Sequence, residues 1–291
     1  MSTISAAQVK ELRERTGAPM MECKKALLTT QGDLDEAVAV LRKTGRAKAD
    51  NKAGRIAAEG AIVIAVQDKT AVMLEVNSET DFVSRDGNFT QFVQHVAELA
   101  IQPNVDSVET LASVPFDVAH TTEEARLELV AKVGENVQIR RMIKTGNAGS
   151  VGTYLHGNRI GVLVELDTEN VDLARDVAMH IAASRPIVVS PDDVSPDEIA
   201  KEKEIYQAQA ASSGKPQDII DKMVVGRLRK YLDEVSLIGQ PFVKDPDITV
   251  GSLLNKARAK VIAFHRFEVG EGIEKTTEDF KEAVMSQMQG S

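Results

Sequence analysis

The sequence predicts an α+β fold. A three-helix N-terminal module precedes a core of two related α+β subdomains with antiparallel sheets, a projecting helical hairpin and a C-terminal helix. Three observations predict it. Apolar residues recur at helical spacing over the first 45 residues and switch to a period of two from residue 60. A hairpin–helix–strand order then occurs twice. Charge is also divided unevenly: residues 1–56 carry 11 Lys/Arg against 7 Asp/Glu, and the remainder 24 against 37. That asymmetry marks the first segment as a separate module.

Taken in order, Ile4, Val9 and Leu12 form a helical stripe that stops at Thr16-Gly17, where glycine suits the left-handed position after a helix. Pro19 fits the first turn of a second helix carrying Met20, Met21, Ala26, Leu27 and Leu28, which ends at Gly32. Asp33-Leu34-Asp35-Glu36 resembles a capping box opening a third helix through Val38 and Leu41. Residues 45–54 show no apolar period and read as a charged linker. Residues 61–66 and 71–76 then alternate around a turn at Asp68-Lys69, an antiparallel hairpin. A helix through Phe89, Val93, Val96 and Leu99, a second at 125–133 and a strand at 137–143 complete the first unit. The second unit begins with strands 151–155 and 160–166 around Gly157-Asn158, then a helix through Val177, His180 and Ile181. Residues 236–243 are expected to take the place of its third strand. Helices capped at Ser195 and following Pro216, joined by a Ser213–Pro216 turn, form the projecting pair. A strand near 261–269 and a helix from about Glu278 end the chain. The expected division is therefore module 1–45, linker 46–57, first subdomain 58–147, second subdomain 148–270 with the hairpin at 195–233, and C-terminal module 271–291.

Composition excludes several functions. A net charge of −9 opposes duplex or membrane-surface binding, and 4% aromatic residues leave few platforms for base stacking. The single Cys excludes an internal disulfide and a thiolate zinc cage. No apolar run approaches a membrane span, and the charged N-terminus does not resemble a signal peptide, so a cytoplasmic location is expected. Catalytic motifs are missing as well. Gly214-Lys215 lacks the Ser/Thr and upstream glycine of a phosphate loop, and the five His residues show no metal-ligand spacing. Cys23, beside Lys24 and Lys25, has no nearby His and reads as a packed thiol. No cofactor or metal of its own is expected, and no enzymatic chemistry.

Three places remain unusual. Thr80-Asp81-Phe82-Val83 follows a polar loop, and its Phe reads either as core filler behind a Thr80 or Asp81 N-cap or as a projecting tip. Met20 and Met21 are adjacent and cannot both face one helical core, so one is free to make an exposed soft contact. His156 falls at a hairpin turn.

The segments Val9–Ala18 and Met20–Leu27 resemble the opening of the bacterial elongation factor Ts family. So do Glu75-Val76-Asn77 with Thr80–Val83, Leu155-His156-Gly157 with Arg159–Val162, Gly239–Val243 and Arg266–Glu274, in the family's order over nearly the whole chain. Pro19 stands where the family often has Gly. The resemblance implies a guanine-nucleotide exchange factor that binds GDP-bound elongation factor Tu, disturbs its Mg²⁺ and phosphate site, and stabilises the nucleotide-free state. It implies a ubiquitin-associated-like N-terminal module and a helical hairpin used in homodimers or heterotetramers. It also assigns roles. Thr80, Asp81, Phe82 and Val83 would dislodge the partner's Mg²⁺, and His156 would press near its phosphate loop. Arg13, Met20, Met21, Lys24 and Lys52 would dock the partner.

Overall fold

The computed structural model describes residues 4–146, 148–211 and 216–274. It is mixed helix and small antiparallel sheet, as the sequence predicts. The expected turn at Gly214-Lys215, the helix from Glu278 and all but 271–274 of the expected C-terminal module lie outside the described residues. The chain gathers into two compact units, one of residues 4–63, 74–142 and 268–274, the other of 64–73 and 143–267.

Helices α1 (Ala6–Thr16), α2 (Met20–Thr29) and α3 (Leu34–Lys52) open the first unit. Ser5 and Gln8 form a reciprocal cap on α1, and Gly17 ends it at φ 63 with its N–H on the Arg13 carbonyl at 2.8 Å. The Asp33 carboxylate caps α3 by accepting from the Glu36 N–H at 2.9 Å. Val9, Leu12, Cys23, Ala26, Leu27 and Ala37 close around one another as the core of the three helices. The charged stretch expected as a linker is instead helix through Lys52. Its Ala, Arg and Lys residues are strong helix formers, and the helix gains tertiary support from α7 (Thr122–Val133). A Cβ on Gly45 would sit 3.3 Å from the Ala131 methyl, and Arg42 pairs with Glu124 at 3.6 Å. A packing face made of Gly and Ala carries no hydropathy signal, which is why the sequence conceals it.

The first sheet has the order β1–β2–β3, from β1 (Glu59–Gln67), β2 (Thr70–Ser78) and β3 (Gln138–Thr145). Its central strand β2 is buried from Ala71 to Ser78, including Glu75, Asn77 and Ser78. Between β2 and β3 lie the short α4 (Asp81–Ser84), α5 (Gly87–Ala100), α6 (Val108–Ala112) and α7.

The second unit repeats the hairpin and helix with β4 (Ser150–His156), β5 (Ile160–Leu166) and α8 (Val171–Ser184). Val162, Val164 and Leu166 pack against Ala174, Val177, Ala178 and Ile181. Gly152 is required there, since a Cβ would lie 2.2 Å from the Ala174 carbonyl carbon. α9 (Pro196–Ala211) and α10 (Gln217–Val235) form the expected helical pair. The third strand of the second sheet corrects the expectation. Residues 236–243 supply only a helical turn and β6 (Pro241–Phe242), which pairs with β7 (Asp245–Thr249). After α11 (Val250–Lys256), β8 (Val261–Glu268) joins the sheet in the order β4–β5–β8. The 239–243 motif acts as a joint. Gln240 donates to the Glu234 carbonyl at 2.6 Å, and its amide oxygen lies 2.9 Å from Nε2 of the fully buried His180, whose Nδ1 accepts the Val243 N–H at 3.2 Å. Burial pushes the His180 pKa down, which suits a neutral ring with one donor and one acceptor nitrogen.

A buried carboxylate organises the first unit. Glu75, fully buried on β2, accepts from Arg141 Nε at 2.6 Å, Arg140 Nη1 at 3.0 Å, Asn77 Nδ2 at 3.0 Å and the Gly270 N–H at 2.8 Å. Arg140 and Arg141 also donate to the carbonyls of Glu271 at 2.6 Å and Glu268 at 3.2 Å. Gly270 has φ 75, and a Cβ there would meet the Ala58 carbonyl oxygen at 2.3 Å, so no other residue fits. Burial alone would raise the Glu75 pKa; the Gly270 N–H, Asn77 and Arg141 outweigh it and hold the carboxyl below its ordinary 4.5. A carboxyl held low in the folded state contributes stability that is complete above the unfolded pKa and is lost as pH falls through the folded one. Glu75→Gln is expected to lower stability near neutral pH by about 3 kcal/mol, because the guanidiniums lose their counter-charge. It should also flatten the decline of Tm below about pH 4.5. A Tm–pH profile matching that of the parent would refute both.

Candidate functional site

Among the described residues, the most exposed large hydrophobic side chain on a helix or strand is Phe82, at 82%. Its position follows from local chemistry. The chain leaves β2 at Ser78, whose hydroxyl donates to the Thr80 carbonyl at 2.9 Å. Thr80 is extended (φ −122, ψ 159) and caps α4, its hydroxyl accepting from the Val83 N–H at 3.4 Å. In a single helical turn, consecutive side chains point in directions about 100° apart. Val83 turns inward to 8% exposure, so Phe82 must turn outward. Asp81 is half-buried, with its carboxylate 3.1 Å from Arg85. The core-filler reading of Phe82 therefore fails, while the Thr80 N-cap reading holds. Leaving a Phe ring in water forgoes roughly 2 kcal/mol of burial, which folding alone gives no reason to accept.

Sequence reading missed what holds the tip. Thr80 donates twice to the Glu135 carboxylate, from its N–H at 2.9 Å to one oxygen and from its hydroxyl at 2.6 Å to the other. Glu135 lies 55 residues further along the chain, so no local motif could reveal it.

A second exposed surface lies on α1 and α2. Arg13, Met20, Met21 and Lys24 are all exposed, the two methionines at 58% and 66%. Both methionines, rather than one, face outward, because Cys23, Ala26 and Leu27 already fill the inward face of α2. Leu28, 56% exposed and seven residues after Met21, extends the apolar strip along one face with Lys24 and Lys25 between. Its exposure is legible in the sequence only once Leu27 is placed inside. The Lys132 ammonium stands where a Cβ on Gly17 would be 3.3 Å away, and it donates to Asn88 Oδ1 at 2.6 Å at the start of α5. That hydrogen bond ties the end of α7, beside Gly17, to the helix that follows the tip.

Lys52 is placed differently. Its half-buried ammonium donates to the Gly134 carbonyl, so the side chain is engaged inside the chain at the end of α3. His156 belongs to the second unit. It ends β4 opposite Ile160 and is exposed, with Nδ1 3.4 Å from the Tyr154 hydroxyl and the two rings stacked at 6.4 Å.

The buried Cys23 thiol lies 3.5 Å from the Ala18 carbonyl. Among the described residues no group of His, Cys, Asp and Glu is arranged to hold a metal ion, and no helix is long and apolar enough to cross a membrane. What the geometry offers is contact surface: an aromatic tip on a fixed turn, a Met/Leu strip framed by lysines, and a turn histidine.

The family model described as elongation factor TS matches residues 79–271. The chain is 57% identical over 290 residues to elongation factor Ts of Legionella pneumophila (strain Lens), covering 99% of each protein. It is 56% identical over 293 residues to elongation factor Ts of Thioalkalivibrio sulfidiphilus, covering 99% of this chain and 100% of that one. With elongation factor Ts of Francisella tularensis subsp. novicida it shares 54% over 290 residues, the full length of both. A family match over most of the chain and these full-length identities together place the chain in the elongation factor Ts family, the family of a translation elongation factor.

Proposed function

We propose that this chain binds elongation factor Tu in the cytoplasm and releases its GDP without covalent chemistry. It does so by disturbing the partner's Mg²⁺ and phosphate site and stabilising the nucleotide-free state. The observation that carries the reading is the exposed Phe82 ring on a turn held from both sides. A GTPase holds GDP through backbone amides and a Mg²⁺ ion bridging phosphate and protein oxygens. A protein that binds the nucleotide-free form more tightly than the GDP form weakens GDP by the same factor, since coupling is reciprocal. Reversing a 1:99 preference takes about 5.5 kcal/mol of differential binding, more than one side chain supplies.

The wedge turn and His156 share that differential demand, while the α1–α2 strip supplies binding that both nucleotide states receive. Arg13, Met20, Met21 and Lys24 grip the partner through a soft apolar strip with cationic edges. Phe82 enters between packed elements of the nucleotide domain, with Asp81 beside it to compete for the metal's surroundings and Thr80 and Val83 anchoring the turn. His156 presses toward the phosphate loop from its own hairpin. Lys52 supports the grip from the end of a helix, its ammonium already bound to Gly134. The N-terminal helices act as the ubiquitin-associated-like module. The α9–α10 pair, with Ile205, Ile219 and Val225 exposed, is the element available for self-association into a dimer or heterotetramer.

Two measurements test this. Phe82→Ala should slow release of a fluorescent GDP from elongation factor Tu about tenfold or more, equivalent to roughly 1.4 kcal/mol. Thermal stability should change by less than about 0.5 kcal/mol, as for other exposed positions. An unaltered release rate sinks the wedge role. Met21→Ala with Leu28→Ala should instead weaken complex formation by about 1 kcal/mol per residue in titration calorimetry. Release at saturating concentration should stay the same, because the strip grips both nucleotide states. A fall in the saturated rate alone would contradict that division of labour.

A further inference from the structure

We infer that Glu135 is a positioning residue for Phe82, acting through Thr80 as the remote half of an N-cap; this rests on the wedge role proposed above. Three other helices of the first unit show what is missing locally. Ser5 with Gln8, Ser107 with Thr110, and Thr121 with Glu124 each close a reciprocal box, the third residue accepting the cap's own N–H. For α4 the cap is Thr80 and the third residue is Val83, which has no acceptor. The Thr80 N–H therefore goes to Glu135 Oε2 at 2.9 Å, and the hydroxyl donates to Oε1 at 2.6 Å while still accepting the Val83 N–H. A four-residue helix cannot hold itself together, since the nucleation cost falls on a single turn. The direction of Phe82 is thus set by a carboxylate on another element.

That carboxylate is itself anchored. Gly134 ends α7 at φ 81, its N–H on the Val130 carbonyl at 3.0 Å and its own carbonyl taken by Lys52. The buried Asn136 donates from its N–H to Glu79 Oε1 at 2.6 Å, and from its amide to the carbonyls of Arg55 at 2.8 Å and Ala53 at 3.3 Å. Glu79 completes the ring with Arg55 at 3.4 Å. Three successive residues, 134–136, bind both the end of α3 and the turn that carries Phe82. The end of α3 and the tip are thereby joined through one hydrogen-bonded loop, and Glu135 needs no contact with the partner to affect release.

The test combines Glu135→Ala, Glu135→Gln and Phe82→Ala in the full chain. Two readouts are used: release of fluorescent GDP from elongation factor Tu, and amide hydrogen exchange of Thr80 in the free protein. Glu135→Ala should reduce the saturated release rate about fivefold to tenfold, the size expected when hydrogen bonds to a charged group are lost. The concentration giving half-maximal release should not move. Glu135→Gln keeps one acceptor oxygen and should recover part of the loss. In a Phe82→Ala background, Glu135→Ala should cost less than about twofold, because the residue acts only through that ring. Equal losses in both backgrounds would overturn the positioning role. Unchanged Thr80 exchange in Glu135→Ala would overturn the clamp itself. If Phe82→Ala alone leaves release untouched while Thr80 amide exchange accelerates in Glu135→Ala, the clamp stands, the wedge role falls, and the inferred effect of Glu135 on GDP release falls with it.

Discussion

The buried carboxylate of Glu75 is the constraint on which the rest of the first unit depends. An ion this deep is tolerated only if its lone pairs are filled, because desolvation otherwise exceeds the Coulombic gain. Here two guanidiniums, a side-chain amide and a backbone N–H fill them. Each donor must arrive in register: Arg140 and Arg141 from β3, Asn77 from two residues further along β2, and Gly270 from 195 residues away. A slip of one residue in any of these segments would strand a charge in the interior. The carboxylate therefore penalises every register of these segments but this one.

That arrangement reaches the tip by a short covalent path. Asn77, which donates to Glu75, also holds the Glu59 carbonyl of β1 at 3.1 Å. Ser78, buried at the strand end, then bonds the Thr80 carbonyl. Six residues of chain, Glu75 to Thr80, thus run from the buried ion to the cap of α4, with a hydrogen-bonded side chain at every one except Val76. The turn inherits its position from the sheet and its direction from Glu135.

The sequence made much of this legible, and its failures have physical causes. The caps at Ser195 and Asp33 and the left-handed Gly17 were readable because each is a local interaction of three or four residues. The outward direction of Phe82 was not, since Thr80-Asp81-Phe82-Val83 suits either choice until Val83 is seen to be buried. The helical run from Gly45 to Lys52 was hidden because its packing face is Gly and Ala, invisible to hydropathy. The third strand of the second sheet was misplaced because 236–243 is apolar enough for a strand, yet its Gln240 and Val243 are committed to His180. Glu135 and Asn136 were unreadable for a different reason. Their partners lie more than 50 residues away, and a polar loop residue looks the same whether solvated or bonded.

The rigidity of the tip bears directly on the proposed role. An exposed aromatic ring on a flexible loop could adapt to a GTPase in any nucleotide state, and uniform binding of all states moves no equilibrium. Only a ring whose direction is set before contact can reward one arrangement of the partner over another. The cost of such pre-organisation appears in this chain as an unburied Phe and a helix of four residues that cannot cap itself. Both features are unfavourable for folding taken alone. They become intelligible together when the surrounding loop is seen to hold the turn and the binding free energy is collected elsewhere, on the partner. In the proposed role, a soft strip of Met and Leu grips without discriminating, while the stiff ring discriminates without needing to grip.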